Sequence, residues 1–103
     1  MTAAGPQDQN VRLTRAVAVI GRPWTLLIVD RLSAGSLRFS EIVASLPGIS
    51  TNLLSERLRT LGVVGITQRV AAGSVSNYQL TDLGHELKPI ITALENWGAR
   101  LPD

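Results

Sequence analysis

Cysteine is absent from the 103 residues, and histidine occurs once, at His85. No thiolate is available for a structural zinc. The single imidazole, with Asp82 and Glu86 as its helix neighbours, has no second nitrogen ligand beside it. A serine triad needs a strand-turn-helix nucleophile elbow, and none is present. Gly62-Val63-Val64-Gly65 lacks the lysine and the longer glycine spacing of a phosphate-binding loop. The expectation is a protein without enzymatic activity, cofactor or metal. A chain free of cysteine suits a reducing compartment, and a cytoplasmic location is expected. No apolar run approaches the ~20 residues of a membrane span, so no membrane partner is expected. Residues 1–10 lack both the charged n-region and the apolar core of a signal peptide. They are expected to form a disordered tail ahead of a single domain over residues 11–103.

Charge is also scarce: 17% of residues are charged while 45% are hydrophobic, which is more apolar than a small monomer needs. A chain of this length buries only about 60 to 70% of the surface its unfolded form exposes, so one core is expected, with apolar surface left over for a second chain. Two stripes at the ends of the chain supply that surface. The first is Val11, Leu13, Ala16, Val17, Val19 and Ile20. The second follows Thr81, a candidate N-cap, and comprises Leu83, Leu87, Ile90, Ile91, Leu94, Trp97 and Leu101. The second stripe reads as one long helix kinked by Pro89. From these stripes a homodimer interface is expected through Val17, Ile20, Leu87, Ile90, Ile91, Leu94, Trp97 and Leu101. The alternative is that both stripes simply close the core of a monomer.

Between the stripes the pattern changes. Phe39, Ile42, Val43 and Leu46 follow the i, i+3, i+4, i+7 spacing of a one-sided helix, which Pro47-Gly48 ends. Ser50 then stands at an N-cap, and a second helix, expected over about 50–61, carries Leu54, Leu58 and Leu61 on one face. Next come Ile66 to Val70, a small-residue segment from Ala71 to Ser76, and Tyr78 with Leu80, the composition of a β-hairpin over about 66–80. Two helices across a tight turn, followed by a hairpin, describe a helix-turn-helix with a wing. The fold class expected is mainly α with a small β-hairpin (α+β).

The face of the second helix opposite its leucines holds Asn52, Ser55, Glu56 and Arg59, with Thr51 beside them. Guanidinium, amide and hydroxyl groups match the acceptors and donors on base edges, so Thr51, Asn52, Ser55 and Arg59 are candidate base readers of double-stranded DNA. Glu56 fits less easily unless it pairs with a neighbouring arginine such as Arg57 or Arg59. The bland alternative is an ordinary solvated helix face. Net charge is only +2, but nine of the ten basic residues are arginine, which suits bidentate phosphate contact. Arg38, Ser50, Arg57 and Arg69 are candidate backbone contacts. Arg38 has a surface salt bridge with Glu41 or Glu56 as its alternative role, and Arg57 a structural one. Ser74, Ser76 and Asn77 are candidates from the wing.

Several runs, taken together and in this order, resemble the HxlR-type family of bacterial transcriptional regulators. They include Ile20-Gly21, Trp24-Thr25-Leu26-Leu27-Ile28, Arg38-Phe39-Ser40-Glu41-Ile42, Pro47-Gly48-Ile49-Ser50, Arg57-Leu58-Arg59-Thr60-Leu61, Leu80-Thr81 and Leu83-Gly84. The resemblance extends from about residue 16 to residue 98. It implies a winged helix-turn-helix with additional N- and C-terminal dimerisation helices, and binding to a roughly palindromic operator. The chain departs from the family pattern in four places. Pro23 stands where a basic residue usually precedes the tryptophan. Gly62-Val63-Val64 replaces a polar stretch, so the second helix either ends a turn early or exposes an apolar patch. The wing is about two residues short. The frequent N-terminal cysteine is missing, so thiol-based sensing does not carry over. A small-molecule effector is possible but not indicated. Trp24 and Trp97 are candidate lining for a pocket, with core packing as the commoner role for such residues. The competing function is a winged-helix protein-interaction module without DNA binding.

Overall fold

The computed structural model describes residues 6–103. Helix α1 (Pro6–Ile20) and helix α2 (Thr25–Leu32) lead to a short strand β1 (Leu37–Arg38), helix α3 (Phe39–Ser45) and helix α4 (Thr51–Val64). Strands β2 (Thr67–Ala72) and β3 (Val75–Leu80) follow, then helices α5 (Asp82–His85) and α6 (Lys88–Gly98). Of the stretch read as a tail, residues 1–5 lie outside the described residues and residues 6–10 belong to α1.

The core is built around α2. Ile28, Val29 and Leu32 are closed off from solvent and cluster with Ile42 of α3, Leu46 just after it, Leu54, Leu58 and Leu61 of α4, Leu80 of β3 and Ile91 of α6. The leucine stripe expected on α4 is therefore its buried face. Its start is capped as expected: the Leu53 amide donates to Ser50 Oγ at 3.1 Å. The helix does not end early. It runs to Val64, where Gly65 takes φ 92, the Ile66 amide returns to the Leu61 carbonyl at 2.9 Å, and the Gly65 amide bonds the Gly62 carbonyl. Those two bonds form a Schellman ending that satisfies the last carbonyls. The apolar patch is the outcome instead, with Val63 84% and Val64 41% exposed.

The sheet has three antiparallel strands in the order β1-β3-β2, one more than the expected hairpin. A two-residue strand has no alternation to read, and Leu37–Arg38 becomes a strand only because Tyr78 and Asn77 stand opposite it. The hairpin strands also run further than expected, to Ala72 and Val75. This leaves Gly73-Ser74 as a two-residue turn with Gly73 at φ 66, the positive value that its first position demands.

The C-terminal stripe is not one kinked helix. Short α5 stops at His85, and α6 begins at Lys88 with Pro89 in its first turn, where the missing N–H costs nothing. Thr81 caps α5 by accepting from the Gly84 amide at 3.1 Å, while its hydroxyl donates to the Gly65 carbonyl. Gly84 is buried, and a Cβ there would collide with the backbone carbonyl oxygen of Ile66. Helix propensity alone favours alanine over glycine by about 0.5 to 1 kcal/mol, but a collision with backbone outweighs that gain. Gly84→Ala is expected to lower unfolding free energy by about 1 to 3 kcal/mol in urea titrations; a stabilised variant would contradict the close approach.

Candidate nucleic-acid interface

Helix α4 presents Thr51, Asn52, Ser55 and Arg59 to solvent, opposite its buried leucines. Ser50 is exposed too, but its hydroxyl already accepts the capping bond. In the hairpin, Arg69 pairs with Tyr78 and Thr67 with Leu80, so these four side chains share one sheet face. That face looks toward α4. Between them runs a trough of about 540 Å³, lined by Ser55, Leu58, Arg59 and Gly62 on one side and by Thr67, Gln68, Arg69 and Tyr78 on the other. A second hollow of about 690 Å³ shares Ser55, Arg69 and Tyr78 with the first, and continues to Arg38, Phe39 and Ser40 and to the hairpin residues Ser74, Val75 and Ser76. The two form one concave surface to which β1, α4 and β2 each contribute an arginine: Arg38, Arg59 and Arg69.

Among the described residues, none of these three arginines makes an ion pair. The salt bridge weighed for Arg38 is therefore not formed. It is the Arg38 backbone amide that bonds Glu41, at 2.8 Å, which caps the start of α3 and leaves the guanidinium out of the contact. Glu56, the one acid on the reading face, is occupied. Its Oε1 lies 3.2 Å from Arg57 Nη1 and 3.8 Å from Arg22 Nη1, so its charge is offset by Arg57, as weighed from the sequence, and additionally by Arg22.

Arg57 sits apart from the other arginines. It is 8% exposed, and its Nε donates to the Pro23 carbonyl at 3.0 Å. Its guanidinium is committed to the protein's own acceptors, the geometry of the structural role weighed beside the backbone-contact one. Asn77 is set back as well. It stands in the central strand opposite both Arg38 and Val70 and lines neither hollow, whereas Ser74 and Ser76 line the second. Ser40 and Tyr78 line it without having been singled out as contacts. The signal for Ser40 was its place beside Arg38 at a helix start. The alternation around Tyr78 marks it only as a half-buried strand residue.

The terminal stripes divide between the protomer core and its surface. Ile91 is a core residue at 8% exposure, and Leu87 and Ile20 are half-buried. Ile91 is largely covered within the protomer, yet it lines the apolar hollow between α2 and α6 together with Leu26, Leu27 and Leu94. Val17, Ile90, Leu94, Trp97 and Leu101 remain exposed. Among the described residues, the apolar hollow between α2 and α6 and that between α1, α4 and α5 are lined by neither tryptophan. Trp24 packs over the α3–α4 turn, and Trp97 is 60% exposed at the end of α6. Among the described residues there is no cluster of three or more histidine or acidic side chains that would hold a metal ion, and no helix is long and apolar enough to cross a membrane.

This arrangement recurs in known proteins. Residues 19–103 match the HxlR-like helix-turn-helix family. YvaP of Bacillus subtilis, described as an uncharacterized HTH-type transcriptional regulator, is 39% identical over 95 residues, which cover 89% of this chain and 88% of YvaP. Among solved structures, quinone-bound YodB of B. subtilis superposes with a TM-score of 0.79 at 30% identity, covering 87% of this chain and 98% of that one. The redox regulator HypR in its oxidized form superposes with a TM-score of 0.83 at 28% identity, covering 89% and 98%. With the helix-turn-helix, the three-stranded wing and these relatives in agreement, the chain belongs to the HxlR-like helix-turn-helix family and is a transcriptional regulator of winged helix-turn-helix fold.

Proposed function

We propose that this regulator binds double-stranded DNA sequence-specifically as a homodimer in the cytoplasm. In each protomer α4 enters the major groove and the short wing lies against the flanking backbone or minor groove. The observation that carries the reading is the concave surface where Arg38, Arg59 and Arg69 converge unpaired beside an exposed polar helix face. Thr51, Asn52, Ser55 and Arg59 meet base edges, Arg38 and Arg69 meet phosphates, and Ser74 and Ser76 contribute from the wing. Occupation of Glu56 by Arg22 and Arg57 removes the main repulsion a phosphate would meet there.

The dimer is supported by the shape of the protomer. Every residue from Asn10 to Ala18 is exposed, so α1 finds little cover within its own chain. The radius of gyration is 15.6 Å, against about 13 Å for a compact domain of 100 residues. An apolar groove lined by Leu26, Leu27, Ile91 and Leu94 carries Asp30 and Glu95 on its rim, and α1 carries Arg12 and Arg15 among its exposed apolar residues. Opposite charges at the edge of complementary apolar faces suit α1 of one protomer to the α2–α6 face of its partner; a stable interface needs roughly 800 Å² from each side. Redox regulation is the part of HypR, and a bound quinone is seen on YodB. A chain without cysteine offers no thiol for such regulation.

Exposed Val63 and Val64 favour a second reading, in which the winged helix docks on another protein and DNA is not its ligand. Fluorescence anisotropy with duplexes selected by the protein from a random pool, at two salt concentrations, separates the two. Tight, sequence-preferring, steeply salt-dependent binding supports the DNA reading, and no binding even at low salt supports the other. Arg59→Ala is expected to cost about 1 to 3 kcal/mol on the selected duplex and to relax its sequence preference. Arg38→Ala is expected to weaken selected and random duplexes alike and to reduce the salt slope by about one unit. Equal losses from both variants on both duplexes would overturn this division of roles. Val17→Asp, at an exposed position on α1, is expected to sediment as a folded monomer and to lose about 10²-fold or more in affinity for a two-half-site duplex. A dimer of unchanged stability would remove α1 from the interface.

A further inference from the structure

The turn between α1 and α2, residues 21–24, is attached to the helix-turn-helix at two points. At the first, Arg57 of α4 donates from Nε to the Pro23 carbonyl at 3.0 Å and from Nη1 to Glu56 Oε1 at 3.2 Å. Glu56 in turn lies 3.8 Å from Arg22 Nη1, so Arg22, Pro23, Glu56 and Arg57 close a loop of contacts between the turn and the recognition helix. At the second, the ring of Trp24 packs over the α3–α4 turn: a Cβ on Gly48 would stand 3.8 Å from Trp24 Cη2. Trp24 is the one non-glycine residue at positive φ among the described residues, at 73°. A bulky residue holds that conformation only where its surroundings enforce it.

We propose that Arg57 is a positioning residue: with Pro23, Glu56 and Arg22 it forms a strut that fixes the direction of α4 relative to α1, and so sets the half-site separation that a homodimer accepts. The proposal rests on the DNA-binding homodimer proposed above. A planar guanidinium with donors at fixed angles holds two acceptors on different elements at once, which a flexible ammonium does not. Arg57 is 8% exposed, so water has little access to its guanidinium. The Pro23 carbonyl lies just ahead of α2 and just beyond α1, the helix that carries the exposed apolar residues assigned to the partner. Rotation of α4 against α1 breaks the Arg57 bond to this carbonyl and stretches the Arg22–Glu56 pair. The spacing of the two recognition helices then follows the subunit interface with little play.

The test compares a duplex selected by the unmodified protein with the same duplex carrying one extra base pair between its half-sites, which shifts and rotates one half-site relative to the other. The unmodified protein is expected to lose about tenfold or more on the longer duplex. Arg57→Met keeps the apolar stem and removes both bonds. Glu56→Gln removes only the charge, at a side chain that is 47% exposed. Both are expected to narrow the ratio between the two duplexes, Arg57→Met to about threefold or less, because a loosened α4 adapts to either spacing. A helix-stabilising role alone would lower affinity for both duplexes and leave their ratio unchanged. Thermal melting and sedimentation accompany each variant. If Arg57→Met does not fold, Glu56→Gln and Arg22→Ala are read by the same ratio. A ratio equal to that of the unmodified protein in every folded variant overturns the strut alone. Failure of the unmodified protein to select any duplex overturns the DNA reading, and the strut falls with it.

Discussion

Burial of one side of α2 is the constraint on which the rest of the protomer depends. This eight-residue helix places Ile28, Val29 and Leu32 where α1, α3, β3 and α6 all reach it. Each of those elements is too short or too one-sided to hold a structure alone, since isolated helices below ~12 to 15 residues are marginal in water. Packed on α2 they become the frame that sets α4 and the wing side by side. The concave surface between α4 and the sheet is thus a product of the core: Leu58 belongs to both the buried cluster and the trough floor, and Leu54 anchors the same helix one turn earlier.

Arginine serves two opposite purposes within this frame. Arg57 is nearly buried and bound to a backbone carbonyl and a carboxylate, an arrangement that compensates for taking its charge out of water. Arg38, Arg59 and Arg69 pair with no carboxylate among the described residues and line an open trough. The net charge of +2 hides this separation. What a polyanion would meet is the local field, and there the acid of the reading face is already paired while three bases are not.

The apolar surplus divides in a comparable way. Ile91 is absorbed by the protomer core, whereas Val17, Ile90, Leu94 and Trp97 stay in water. Leu94 lines the α2–α6 groove, and Ile90 lines a second apolar surface with Ala16, Val19 and Ile20 of α1, to which both chain ends contribute. The strut through Arg57 gives that surface a mechanical link to the recognition helix, since the turn that ends α1 is the turn Arg57 holds.

Sequence patterns by themselves determined the features governed by neighbours within a turn of helix or a stretch of strand. Ser50 as a cap, the stripe Leu54, Leu58 and Leu61, the break at Pro47-Gly48 and the hairpin all depend on interactions spanning a few residues, which periodicity and capping chemistry report directly. The identity of the exposed polar face of α4 follows from the same geometry. Tertiary structure alone decided what depends on distant partners. Leu37–Arg38 is a strand because β3 lies beside it, Arg57 is a structural residue because Pro23, 34 positions earlier, offers a carbonyl, and Ile91 rather than Ile90 is buried because α2 packs against that side of α6. In each case the same local sequence admits either outcome, and the long-range contact that selects one of them leaves no trace in the spacing of its neighbours.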